Sequence, residues 1–207
     1  MKKIILTCVC VSALLMGGSF SGAYAAETSR PTTRIELLTK DSIKKLAKID
    51  EEHSILPALS GNWDFDLKYW SNKDSEPQLS TGTATNEMIL GGRYLSSKAN
   101  VVLNIGGQNI PYEGHYILGY DSVKKSYSSA LVDTMHTGVT TGVGHYNEKS
   151  KTLEAKGSFS HPVIGKERVY RFELQMTNDD GYRQTVFMDD DSGKEFKVLE
   201  MDFRKKM

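Results

Sequence analysis

From Gly61 to the C-terminus the chain alternates apolar and polar residues, and this period of two constrains the fold more than any other feature. It is clearest between Met88 and Asp121, MILGGRYLSSKANVVLNIGGQNIPYEGHYILGYD. Leu95, Ala99, Val101, Leu103 and Ile105 share one face there, and Tyr112, Tyr116, Leu118 and Tyr120 share one face of the returning stretch. Alternation with one apolar side is the mark of antiparallel sheet that packs on one face and meets water on the other. Ten such stretches succeed one another, near 63–69, 79–90, 93–105, 111–121, 125–134, 139–146, 152–160, 167–177, 182–190 and 195–205. Short runs of turn residues join them, such as Asp121-Ser122, Asn147-Glu148 and Asp191-Ser192-Gly193.

Ten strands joined by hairpins form a meander with two exposed edges, and closing the sheet into a barrel removes both. The predicted fold is therefore all-β, an up-and-down barrel of about ten strands in which the first pairs with the last. Leu199, Met201 and Phe203 of the last strand and Tyr170, Phe172, Leu174 and Met176 of the eighth would line one wall. A β-sandwich would need crossovers longer than the connections seen after the first strand. One short amphipathic helix precedes the barrel: from Asp41, the residues Ile43, Leu46, Ala47 and Ile49 keep helical spacing, and His53, Leu56 and Leu59 extend the apolar face past Pro57.

The N-terminal residues have a different character. Lys2 and Lys3, the apolar run Ile4–Met16 and Ala23-Tyr24-Ala25 have the layout of a secretory signal peptide over residues 1–25, giving an expected periplasmic or secreted location. The apolar run is too short to serve as a membrane span. Residues 26–40 read as a linker and 41–207 as one domain with its N-terminal helix. Both cysteines, Cys8 and Cys10, fall within the leader, and its removal leaves 24 basic against 26 acidic residues. So even a balance argues against nucleic acid or an anionic membrane surface as partner, since both select basic patches.

His53…Leu56…Leu59-x-Gly61-x-Trp63, Gly91-Gly92-Arg93-Tyr94-Leu95, Glu113-Gly114, Leu118-Gly119-Tyr120-Asp121, Tyr127, Asp133 and Gly193-x-Glu195…Glu200…Arg204 occur in an order that resembles the bacterial domain-of-unknown-function family 1579. The resemblance runs from His53 to Arg204 and implies a calycin-like, lipocalin-like barrel with no agreed activity. Two features of related barrels are missing from the chain. Only about eight residues, 71–78, separate the first two strands, too few for the two-helix lid of fatty-acid-binding proteins, and no histidine comes after His161 to ligate haem as in nitrobindins. No cofactor is expected.

Motifs for chemistry are sparse. There is no G-x-S-x-G elbow, Gly142-Val143-Gly144 lacks the rest of a dinucleotide fingerprint, and Asp189-Asp190-Asp191-Ser192-Gly193 has the wrong order for a calcium loop. His115, His136, His145 and His161 show no metal-ligand spacing and read as surface or turn histidines. Arg93 stands out because it is in phase with Leu95 on the expected inner face, where a guanidinium needs a partner. Asp133, Glu113 and Glu200 are the candidates, unless Arg93 receives an anionic head group instead.

The functional expectation is an exported barrel that binds a small apolar or anionic molecule, with Trp63, Arg93, Tyr116, Tyr120, Asp133 and Tyr170 as ligand-binding residues and no metal. Second comes a non-catalytic envelope protein acting through its outer surface or N-terminal arm. An enzyme using Arg93, Asp133 or Glu113 in the lumen comes third.

Overall fold

The computed structural model describes residues 47–161, 165–178, 180–190 and 192–207, together with Asp41 and Lys44. The chain divides into a unit Met1–Ile43 and a unit Lys44–Met207, and the barrel belongs to the second. The leader, the 26–40 linker and most of the 41–46 helical run lie outside the described residues.

Ten antiparallel strands close into a barrel in chain order, with β1 beside β10. They are β1 (Gly61–Tyr69), β2 (Gln78–Ile89), β3 (Tyr94–Ile105), β4 (Gln108–Asp121), β5 (Ser126–Asp133), β6 (Thr140–Asn147), β7 (Thr152–His161), β8 (Lys166–Asn178), β9 (Gly181–Asp189) and β10 (Glu195–Lys205). Each coincides with one alternating stretch of the sequence to within a few residues. The closing seam pairs Phe65 with Phe203 and Leu67 with Met201, so both apolar faces point into the same interior. Outside the seam, Lys68 and Lys197 hold the buried Glu200 carboxylate at 2.9 and 2.6 Å. Asp66 and Asp64 pair with Arg204 and Lys206.

A single 3-10 turn, Glu51–Ser54, runs directly into one turn of α-helix, α1 (Ile55–Ala58). This is the helix that adjoins the barrel, and it begins further along the chain than the spacing from Asp41 suggests; Asp41 and Lys44 are themselves helical. Pro57 sits within the first turn of α1, where its missing N–H costs no hydrogen bond. The helix places Leu56 and Leu59 over one end of the barrel, at 0% and 1% exposure, and Trp63 beneath them is fully buried. The Trp63 indole N–H donates to the Leu59 carbonyl at 3.0 Å, and the Asn86 amide donates to the same carbonyl at 2.8 Å and to the Tyr182 hydroxyl at 3.1 Å. Tyr182 in turn stacks on Phe203 at 4.2 Å and meets Trp63 edge-on at 4.8 Å. A helix of four residues has no stability of its own. Its place is set by these contacts and by Tyr127, whose hydroxyl donates to the Glu52 carbonyl.

Arg93 is not on the inner face. The sequence phase is counted back correctly from Leu95, but β3 starts only at Tyr94, and Arg93 belongs to the β2–β3 turn. That turn is reversed by Leu90, Gly91 and Gly92, all at positive φ. The guanidinium binds carbonyl oxygens instead of a carboxylate: those of Leu90 at 3.1 Å, Gly91 at 3.5 Å and Ala47. Its candidate partners are engaged elsewhere, Glu113 with Lys98 and His115, Glu200 with Lys68 and Lys197, and Asp133 with His136.

Candidate functional site: the open end of the barrel

In a meander alternate hairpins emerge at opposite ends. The connections at 90–93, 122–125 and 148–151 lie at the end covered by α1, and those at 70–77, 106–107, 134–139 and 190–194 lie at the other. Among the described residues no helix covers that second end. The inner-face side chains there, Tyr69, Leu103, Tyr112, Phe159, Tyr170 and Phe172, are only half-buried although they point inward. The inner face is thus sealed by apolar packing at one end and partly exposed and aromatic at the other, and this second end is the candidate cup.

Inner-face glycines shape the walls. A Cβ on Gly142 would come within 2.9 Å of the Tyr170 hydroxyl, and one on Gly114 within 2.8 Å of the Tyr112 hydroxyl. Both phenols thus occupy space against the wall that a side chain would otherwise fill. Tyr170 is fastened there, donating to the Thr141 carbonyl at 3.0 Å. Burial raises the pKa of Tyr170, of Tyr116 and of Tyr112, and for Tyr112 the Asp133 charge adds to the effect. These phenols are therefore neutral and present hydroxyl dipoles without charge.

Asp133 ends β5 on the inner face, where it pairs with Gly114 of β4. Its carboxylate turns the chain into the 134–139 connection by accepting the N–H groups of Met135 and His136 at 2.8 and 2.9 Å. It also meets Nδ1 of His136 at 2.8 Å, and its side chain is only 4% exposed. His136 stands edge-on to Phe159 at 5.8 Å, and Phe159 lies 6.4 Å from Tyr170. The connection thus carries an imidazole across the rim from β5 to the inner face of β7.

Of the six residues chosen from the sequence, the structure brings Tyr116, Asp133 and Tyr170 to the cup. Tyr116 lies deeper than the other two, beside Phe172 at 6.4 Å. Trp63 is sealed beneath α1, Tyr120 packs between His53 and Tyr127 at the same covered end, and Arg93 lies in a turn at that end. His136, which reads in the sequence as a surface or turn histidine, sits in a turn but belongs to the rim. The Asp-x-x-His spacing of Asp133 and His136, at the end of an alternating strand, is the signal that could have linked them. The run at Asp190 is a hairpin turn, with the Asp190 carboxylate accepting the N–H groups of Ser192 and Lys194 at 2.8 and 3.0 Å. No three His, Cys, Asp or Glu side chains among the described residues cluster as a metal site, and no helix among them is long and apolar enough to cross a membrane. Two depressions on the outer wall, of about 710 Å³ beside Arg183 and Arg204 and about 820 Å³ beside His145 and Arg171, are wide open to solvent. They lie among charged residues such as Asp202, Lys205 and Lys156.

Fold and site together define the class: a closed, ten-stranded antiparallel barrel capped by a helix at one end and open at the other. The profile of a family described as "Protein of unknown function (DUF1579)" matches residues 48–205, and the chain belongs to that family. Among solved structures it is similar to Rv2717c from M. tuberculosis, with a TM-score of 0.54 and 12% identity, over 77% of this chain and 100% of that one. At that identity the likeness is one of fold. No curated protein matches the chain in sequence.

Proposed function

We propose that the protein binds a small, partly apolar molecule in the open half of its barrel, and that it does so outside the cytoplasm after loss of residues 1–25. The observation that supports binding is the gradient along the inner face. Leu56, Leu59, Trp63 and Leu118 are at or below 1% exposure at one end, where Tyr120 and Tyr146 are half-buried beside them, whereas at the other Tyr112, Phe159, Tyr170 and Phe172 all keep part of their surface in water. A barrel that only needed a core would fill both ends, since each exposed inner aromatic forgoes burial worth about 25 cal/mol per Å². Converging apolar walls with a few placed hydroxyls are what small-molecule sites are made of. The leader supports export.

Thermal-shift measurements with medium-chain alcohols, isoprenoid alcohols and aromatic acids test the binding, alongside native mass spectrometry of the freshly purified protein. A ligand at 100 times its Kd stabilises the fold by about 2.7 kcal/mol, a readily measured rise in Tm. Gly142→Ala should reduce that rise by more than it lowers the unliganded Tm, because the new methyl displaces the tip of Tyr170 from its bond to the Thr141 carbonyl and crowds the Ser129 hydroxyl. Absence of both stabilisation and any co-purified molecule would overturn the reading. N-terminal sequencing of exported material tests the location, and a mature chain still beginning at Met1 would contradict it.

A further inference from the structure

We propose that the rim of the cup recognises a carboxylic acid head group, received by Nε2 of His136 and backed by the buried carboxylate of Asp133. The inference rests on the cup being a binding site and specifies what it selects.

The two nitrogens of His136 have different fates. Nδ1 lies 2.8 Å from Oδ1 and 3.0 Å from Oδ2 of Asp133, so Nδ1 carries a hydrogen and donates it. Asp133 can do nothing else: its side chain is 4% exposed and Oδ1 already accepts two backbone N–H groups. Nε2 has no partner among the described residues, and the imidazole keeps 22% of its surface open. A structural pair needs only the Asp133–Nδ1 bond. It does not explain why a part-exposed imidazole with one nitrogen unpartnered among the described residues stands edge-on to the inner-face residue Phe159.

The chemistry of that nitrogen selects the ligand. In the neutral ring Nε2 carries a lone pair and calls for a donor. In the imidazolium both nitrogens carry hydrogens, Nδ1–H being held by Asp133, and Nε2–H calls for an anion. A carboxylic acid satisfies both states. As the acid it brings an O–H that stays on oxygen and donates to Nε2, or passes to Nε2 with one O–H bond broken and one N–H bond formed. As the carboxylate, its main form at neutral pH, it pairs with a ring that has taken its proton from water. Either ionic route leaves an imidazolium between two carboxylates. An alcohol offers only the neutral hydrogen bond, roughly half as strong as the charge-assisted one. An ester offers no donor. A phosphate dianion would bring a second negative charge close to Asp133. With the head group at the rim, the apolar body lies against Tyr170, Phe159 and Phe172.

The experiment compares decanoic acid, decanol and methyl decanoate by calorimetric titration against the parent protein, His136→Phe and Asp133→Asn. His136→Phe keeps a ring beside Phe159 and removes both nitrogens. The expected result is that the parent binds decanoate at least tenfold more tightly than decanol or the ester. His136→Phe should then bind decanoate no better than decanol, losing more affinity for decanoate than for decanol or the ester, a loss of preference that a purely structural role would not produce. Asp133→Asn should weaken the preference too. Should that variant not fold, His136→Phe alone decides. Equal binding of decanoate and decanol by the parent, or an undiminished preference in His136→Phe, would overturn the head-group inference and leave the cup standing. Binding of none of the three would remove the cup reading and this inference together.

Discussion

At the end covered by α1, Trp63, Leu59 and Leu118 touch almost no water, and the buried Asn86 amide donates to the Leu59 carbonyl and the Tyr182 hydroxyl. At the opposite end the same kind of inward-facing aromatic, Tyr112, Phe159 or Tyr170, stays half-buried, and its wall is braced from outside. There Arg171 grips Glu195 at 2.7 Å while lying over the Phe187 ring at 3.9 Å, Lys197 covers Trp70 at 4.6 Å, and Glu200 is held between two lysines. Ion pairs brace the outer wall at the covered end too, Asp66 with Arg204 and Asp64 with Lys206, so the two ends differ in their interior. At the covered end packing adds to that bracing; at the open end the bracing acts with less of it.

Truncating an aromatic at each end should separate these two regimes by the widest margin. Trp63→Ala should cost about 3–5 kcal/mol in urea denaturation, through lost burial and an unfilled cavity, while Phe172→Ala should cost less than half as much. Equal losses would erase the distinction between a sealed end and an open one. Asn86→Ala comes next, at about 1–3 kcal/mol, because it strips the Leu59 carbonyl and the Tyr182 hydroxyl of a buried donor. A negligible effect would show that the Trp63 indole, Tyr127 and apolar contact hold α1 without the amide.

Acid probes the outer bracing. Burial by itself would raise the Glu200 pKa, but the hydrogen bonds and charges of Lys197 and Lys68 outweigh it and hold the carboxyl at about 2, below its ordinary 4.5. A carboxyl depressed in the folded state contributes stability that is present above its unfolded pKa and lost as pH falls through the folded one. The contribution should fade between about pH 4.5 and 2. Both lysines are partly in water, so its size is about 1–2 kcal/mol, and Glu200→Gln should flatten this limb of the stability profile. An unchanged limb would mean that the pair does not brace the wall. The smallest effect is expected from Arg93→Met, under about 1 kcal/mol in stability and none on ligand response, since Arg93 only fastens backbone carbonyls at the covered end. A change in ligand affinity would show that the two ends communicate.

The strands, their order and the closing pair were all legible in the period of two, because that period reports which face is buried and a meander leaves little topological choice. The position of Trp63 within the first strand's apolar face was legible for the same reason. The site was less so. Arg93 obeys the phase of β3 yet lies one residue before the strand, where Leu90, Gly91 and Gly92 redirect the chain, and phase carries no information beyond a strand's end. The role of His136 depends on how a connection folds back over the rim, which local spacing does not encode. The depth of burial along one face was also hidden: Trp63 and Tyr170 alternate equally well, and only the position of α1 makes one a plug and the other a wall.

The seam between β1 and β10 joins residues far apart in the chain, Lys68 and Glu200 being separated by 132 positions. Until β10 has been made, β1 has β2 as its single neighbour and the growing sheet has a raw edge at each side. Nucleation elsewhere in the meander is local, but the final ring closure must bring together the two extremities of the domain, the slow kind of step in β topologies. An emerging chain therefore stays unlocked for most of its synthesis and becomes a finished barrel only when β10 arrives.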